Sequence, residues 1–134
     1  MKTPRRRARE LAVQALYQAG INNTAAPEIA KNIQDQPDFA KADEELFNKL
    51  FFGTHTHAAE YIQQIRPLLD RDEKDLSPIE RAVLLMACHE LSAMPETIEV
   101  TKTFGGTDGH KFVNGILDKL AAQLRPNDPK RGNA

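Results

Sequence analysis

Apolar side chains recur at three- and four-residue intervals through most of this chain, the spacing of one face of an α-helix. In the first stretch Ala8, Leu11, Ala12, Ala15, Leu16 and Ala19 fall on a single stripe at ~100° per residue. Thr3 followed by Pro4 supplies a start, a capping side chain with proline in the first turn, and Gly20 a stop. A second pattern, Ala26 to Gln36, is closed by Pro37. From Asp43 onward Leu46, Phe47, Leu50 and Phe51 predict a helix that stops at Gly53. A Thr-His-Thr-His stretch separates it from another helix carrying Tyr61, Ile62, Ile65, Leu68 and Leu69, kinked or ended by Pro67. The charged stretch Asp70 to Asp75 reads as exposed. Ser77, Pro78 and Glu80 then spell a capping box. The helix it opens, with Ala82, Val83, Leu85, Met86 and His89 to Leu91, is apolar nearly all round and is expected at the centre of the core. A last helix is predicted from near Asp108 through Phe112, Val113, Ile116, Leu117, Leu120 and Leu124, ended by Pro126.

Only Thr97 to Phe104 breaks this pattern, with Ile98, Val100 and Phe104 at one parity as in a half-buried strand. No other segment offers it a pairing partner. The fold class is therefore all-α, with this piece a short helix or turn. At 134 residues the chain suits one compact domain that buries roughly 70% of its unfolded surface. We place that domain at residues 1–126 and a frayed tail at 127–134. The longest wholly apolar run, Ala82 to Cys88, is far below the ~20 residues of a membrane span. No apolar signal segment follows the basic start, and a lone Cys88 makes no internal disulfide, so a cytoplasmic protein is expected.

Charge changes the picture more than composition does. The net charge of −1 conceals +4 on residues 1–10, +2 from Arg125 onward and −7 on residues 11–124. Arg5, Arg6, Arg7 and Arg9 crowd the first turns of the first predicted helix. There they oppose the macrodipole at ~0.3–1 kcal/mol each when exposed, a local misfit that points to function. Arginine's planar fork of donors suits phosphate, and Tyr17 offers a stacking ring, a combination fitted to single-stranded RNA. In Phe104 to Lys111 a glycine-rich stretch leads into a helix but lacks the ending of a P-loop, so it reads first as a capped connection. In a second reading Lys111 grips a phosphate and Phe112 stacks on a base. His55 and His57, two apart, point away from each other, and His89 lacks further ligand partners, so neither a metal nor another cofactor is expected. Ser77 is explained by capping, and no other residues suggest an enzyme. The residues alone leave open a small helical RNA-binding protein and a protein-only adaptor or homodimer.

Three blocks resemble a known family. Arg5-Arg6-Arg7-Ala8-Arg9-Glu10-Leu11-Ala12-Val13-Gln14-Ala15-Leu16-Tyr17, Ser77-Pro78-Ile79-Glu80-Arg81-Ala82-Val83-Leu84, and Phe104-Gly105-Gly106 with His110 to Leu120 look like the bacterial transcription antitermination factors of the NusB family. The resemblance implies two small helical bundles packed across each other and a non-enzymatic role. It implies binding of single-stranded boxA RNA together with the small-subunit ribosomal protein NusE. That complex, with other Nus factors, helps RNA polymerase pass terminators, notably in ribosomal RNA synthesis. By motif, Lys2, Arg5, Arg6, Arg7, Arg9 and Tyr17 would lie on the RNA face, with Asp108, Lys111, Phe112 and Glu80 close by. An acidic body would steer in a basic ribosomal protein. A NusB-like accessory domain of a ribosomal RNA methyltransferase is the alternative, set apart by the absence of a catalytic cysteine motif and of a cofactor-binding domain after Arg125.

The chain departs from the family pattern in one place. Family members carry a longer helix containing Pro-Tyr-x-Val and Ile-Asn-Glu-Ala where Pro95-Glu96-Thr97 here meets Ile98-Glu99-Val100, shorter by about nine residues or ~2.5 turns. Either the protein is truncated there or residues between Thr97 and Ile98 are missing; the second is expected, with a Cα separation far above ~3.8 Å, because loss of part of a bundle helix would strip the core of packing partners.

Overall fold

Thr3 opens the first helix as predicted, its Oγ1 accepting the Arg6 backbone N–H at 3.1 Å with Pro4 in the first turn. In the computed structural model, which describes residues 3–22, 24–69 and 72–93 with Ile116, Lys119 and Ala122, this helix (α1) spans Pro4–Ile21. The next, α2, spans Ala26–Gln34 and is followed by a 3₁₀ turn at Pro37–Lys41. Asp43 caps α3, Glu44–Thr56, by accepting the Leu46 N–H at 3.0 Å. Helix α4 is Ala58–Ile65, ended by a 3₁₀ turn at Arg66–Leu68 in which Pro67 sits. After a further short turn at Glu73–Asp75 comes α5, Pro78–Ala93. Among the described residues there is no strand, and the fold is all-α.

The helices form one bundle around α5. Residues Ala82 to Leu91 of α5 are all buried, the apolar run Ala82 to Cys88 together with His89, Glu90 and Leu91. The apolar stripe of α1 packs on both α3 and α5, α2 closes over α1 and α3, and α4 lies on α5. Phe47 and Phe51 of α3 are fully buried. Phe39 from the 3₁₀ turn meets Phe47 edge-on at 5.2 Å between ring centroids. Each such side chain contributes ~1.5–3 kcal/mol by leaving water. Ile116, Lys119 and Ala122 are helical, as the last predicted helix requires, and Ile116 is buried. The rest of that helix, on which the division into two bundles rests, lies outside the described residues, as do the strand-like Thr97 to Phe104 and the tail at 127–134. The Thr97–Ile98 junction, where missing residues are expected, lies outside them too.

Two glycines behave differently from expectation. Gly20 does not stop α1, which continues to Ile21 and ends where Asn22 turns extended. Gly53 does not stop α3 either: the helix runs on to Thr56, and the break falls at His57, which ends α3 and begins α4. The reason for glycine at 53 lies across the bundle. A Cβ there would overlap Nε2 and Cε1 of His89, so the missing side chain is the space into which the α5 imidazole fits.

That imidazole knits three helices. His89 Nδ1 lies 2.8 Å from the Tyr61 hydroxyl of α4, and the ring also hydrogen-bonds the Lys49 backbone of α3. A neutral ring protonated on Nε2 accepts the Tyr61 O–H at Nδ1 and satisfies both contacts. Burial, with the nearby His57, holds the His89 pKa below its ordinary 6.5, the Lys49 contact working weakly the other way. Burial likewise raises Tyr61, reinforced by Cys88 and Glu60, so the phenol keeps its proton.

Gly53→Ala is expected to lower stability by at least ~1–3 kcal/mol, the range for overpacking, read as a reduced urea midpoint. Because the unfolded chain protonates His89 more readily than the folded one, the contribution of this histidine is complete above about pH 6.5 and is lost as pH falls through its depressed folded value. Unfolding free energies measured from pH 7.5 to 5 should therefore fall less steeply in His89→Gln than in the parent; identical slopes would contradict the assignment.

Candidate nucleic-acid interface

Helix α1 is a basic helix with one face in the core and one in solvent. Ala8, Leu11, Ala12, Val13, Ala15 and Leu16 are buried, whereas Arg5, Arg6, Gln14, Tyr17 and Ile21 are exposed and Arg7 half-buried. At ~100° per residue Arg6 and Tyr17 differ by only ~20° in azimuth, so one outward stripe carries a guanidinium at the first turn and a phenol ring about three turns on. Tyr17 is 39% exposed, which removes the alternative that its ring is core. No acidic residue occupies the first turn to offset the macrodipole. Arg6 makes an i,i+4 contact with Glu10 at 3.8 Å; at half exposure such a pair is worth little and leaves the arginine available. Arg5 and Arg7 have no ion-pair partner among the described residues.

Arg9 is not part of this outward set, and the sequence-based placement of it on the RNA face is corrected. Its side chain is 0% exposed and points into the bundle, where Nη2 and Nε lie 3.1 and 3.3 Å from Glu90 Oε1 of α5, itself 0% exposed. The sequence held the signal. Glu90 is the one carboxylate inside the apolar stretch Ala82 to Leu91, and a carboxylate so placed requires a cation from another element. Apolar periodicity, which treats charged positions as solvent-facing, passes over it.

Glu80 also has a prior engagement. Its Oε1 accepts the Ser77 N–H at 2.9 Å while Ser77 Oγ accepts the Glu80 N–H at 3.1 Å, the reciprocal capping box predicted from sequence. Beside it the start of α5 and the end of α1 border a cleft of about 500 Å³ lined by Leu16, Gly20, Glu73, Pro78 and Arg81. Glu73 spans its rim, 2.7 Å from Arg66 and 3.9 Å from Arg81. Ile21 and Ile79, which periodicity alone did not single out, are exposed apolar side chains on the two bordering helices. Lys2, Asp108, Lys111 and Phe112 lie outside the described residues.

Burial pushes the Cys88 thiol up to about 12, so it carries negligible thiolate near neutrality. Among the described residues no three His, Cys, Asp or Glu side chains gather as a metal site would need, and no helix is long and apolar enough to cross a membrane. What α1 offers to solvent is positive charge at its first turns and a ring on the same stripe about three turns further on.

Comparison with known proteins agrees with the sequence motifs. The model of the NusB family matches residues 6–122. The chain is 81% identical to the transcription antitermination protein NusB of Neisseria meningitidis serogroup A, over 98% of this chain and 99% of that one. It is 80% identical, with the same coverage, to the protein of that name from Neisseria gonorrhoeae. The Laribacter hongkongensis protein of that name is 49% identical over 96% of this chain and 83% of its own length. The alignment with the meningococcal protein runs over 140 positions, more than the 134 residues here, so that relative carries residues this chain lacks.

The capping assignment separates structure from recognition at the start of α5. Ser77→Ala should lower unfolding free energy by about 1 kcal/mol. Glu80→Gln, which retains an acceptor for the Ser77 N–H, should change it by much less. Equal losses in the two variants would show that the Glu80 charge, rather than the cap, is what α5 needs.

Proposed function

This chain belongs to the NusB family, and on that premise we propose that it is a transcription antitermination factor that binds single-stranded boxA RNA together with the ribosomal protein NusE. In this reading it acts in the cytoplasm without catalysing a reaction. With other Nus factors it helps RNA polymerase read through terminators, notably in ribosomal RNA operons. The observation that carries the reading is the outward charge of α1: Arg5, Arg6 and Arg7 stand in or near solvent at the wrong end of a helix dipole, with Tyr17 on the stripe of Arg6. Such an arrangement costs stability and is useful only to an anion. Phosphates would be held by the arginine forks and an unstacked base by the Tyr17 ring. By the family motif Lys2, Asp108, Lys111 and Phe112 would complete the RNA face, with Glu80 bordering it and Arg9 supporting it from within.

The acidic body fits a basic protein partner. Residues 11–124 carry −7, which steers a cationic ribosomal protein by long-range attraction. Exposed Ile21 and Ile79 add apolar contact beside the cleft and favour a protein partner as well as RNA. The same apolar side chains suit the second reading, a protein-only adaptor or homodimer.

Anisotropy titrations of labelled boxA RNA, with and without NusE over a salt series, test the proposal. Affinity should fall steeply with salt, and Arg6→Ala or Arg7→Ala should each flatten the slope by up to about 0.7 per lost single-strand contact. An unchanged slope in the triple Arg5, Arg6, Arg7 to alanine variant would exclude α1 from the RNA site and leave the protein-only reading.

A further inference from the structure

The α1 helix has two faces with different demands, and the apolar face is poorly equipped to set the helix's rotation. Three of its six buried apolar residues, Ala8, Ala12 and Ala15, are alanines, and hydrophobic contact is non-directional. Alanines present few knobs to interlock with neighbouring helices, so directional contacts take a larger share in setting the rotation. Among the described residues, directional contacts at two points oppose a turn of the helix. At the start of α1 the Asp43 N–H donates to the Pro4 carbonyl at 3.0 Å, tying the first turn to the start of α3. One turn further on, Arg9 Nη2 and Nε meet Glu90 Oε1 at 3.1 and 3.3 Å.

The second contact tolerates no slack. Both side chains are fully buried, so a rotation that separated them would strand charges away from water. Glu90 sits in the part of α5 that is buried from Ala82 to Leu91, so it forms a fixed reference. Arg9 lies ~60–80° round the helix from Arg6 and Tyr17, close enough that its angle determines theirs. A buried ion pair contributes little net stability compared with an apolar pair of the same volume; its best-attested use is to specify register.

We propose that Arg9 and Glu90 are positioning residues for RNA recognition: the buried pair fixes the rotation of α1 so that Arg6 and Tyr17 face outward on one stripe. The proposal rests on the reading of α1 as the RNA face, and it assigns to Arg9 a role that involves no contact with RNA. Glu90, from the interior of another helix, thereby acts on a ligand it never meets.

The test uses the full chain and four variants: Arg9→Gln, Glu90→Gln, the double Gln variant, and Arg9→Met/Glu90→Met, the last chosen because apolar replacement of both partners usually preserves folding. Circular dichroism first fixes a temperature at which each variant measured is fully folded. Titration with labelled boxA RNA should then show Arg9→Gln, Glu90→Gln and the Met pair each weakened on the order of tenfold, with the double Gln variant no weaker than either single one. Wild-type affinity in folded Glu90→Gln and the Met pair would overturn the proposal, because a purely structural pair would leave the affinity of folded molecules unchanged. A loss confined to Arg9 variants would also overturn it, showing direct contact. A second readout needs no RNA. Since Cys88 is buried, a Gln14→Cys thiol on the outward face reports alone, and its rate with Ellman's reagent should fall several-fold when the Met pair replaces the ion pair. Equal rates would refute the rotational role. Failure of the wild-type chain to bind RNA would count against the proposed function and leave the thiol measurement to decide the rotation.

Discussion

A carboxylate withdrawn from water must meet a cation, and in this bundle that requirement decides which helix goes where. Glu90 is fully buried near the end of α5, and the guanidinium that meets it lies 81 residues away in sequence. The apolar stripes of α1 and α3 bring the helices together, but greasy surfaces accept many neighbouring arrangements. One pair of opposite charges, both sealed from solvent, accepts very few. The outward face of α1 inherits its orientation from this interior bond.

Charge accordingly serves two ends on a single helix. Arg9 satisfies an internal demand, whereas Arg5 and Arg7 have no ion-pair partner among the described residues, Arg6 makes a weak half-exposed contact with Glu10, and all three work against the dipole of their own helix. The contrast explains why a run of similar residues does not share a role. A guanidinium in the core is fixed by what it neutralises; one at the surface is held by its stem alone and is free to meet a phosphate. The net charge of −1 averages over both situations and over the acidic body, and so describes none of them.

Much of the fold was legible in the sequence wherever the determinant is local. Thr3, Asp43 and Ser77 with Glu80 each cap the helix predicted to follow them, because capping is decided within four residues. The central place of α5 followed from an apolar pattern with no polar side. Where the determinant is remote, periodicity misled. Gly53 reads as a stop, yet its meaning depends on His89, which sequence alone does not place beside it. Arg9 reads as one more surface cation, and only the location of Glu90 shows otherwise. Tyr17 was ambiguous between ring and core until its exposure settled the matter. The family motif groups Arg5, Arg6, Arg9 and Tyr17 together, whereas the fold exposes Arg5, Arg6 and Tyr17 and buries Arg9, a distinction that motif similarity does not draw.

The fit of the His89 ring into the space above Gly53 has a consequence for how this protein can change over generations. A side chain at 53 collides with the imidazole at 89, so a lineage that enlarges 53 loses stability unless 89 shrinks first. That earlier step leaves a void and deprives Tyr61 of its acceptor, making it harmful on its own. The two positions are thus bound in historical order: each is neutral only in the company of the other, and the route between alternatives passes through a poorer protein. Descendants should keep the glycine and the histidine together or exchange both, and the glycine endures because of a partner in another helix.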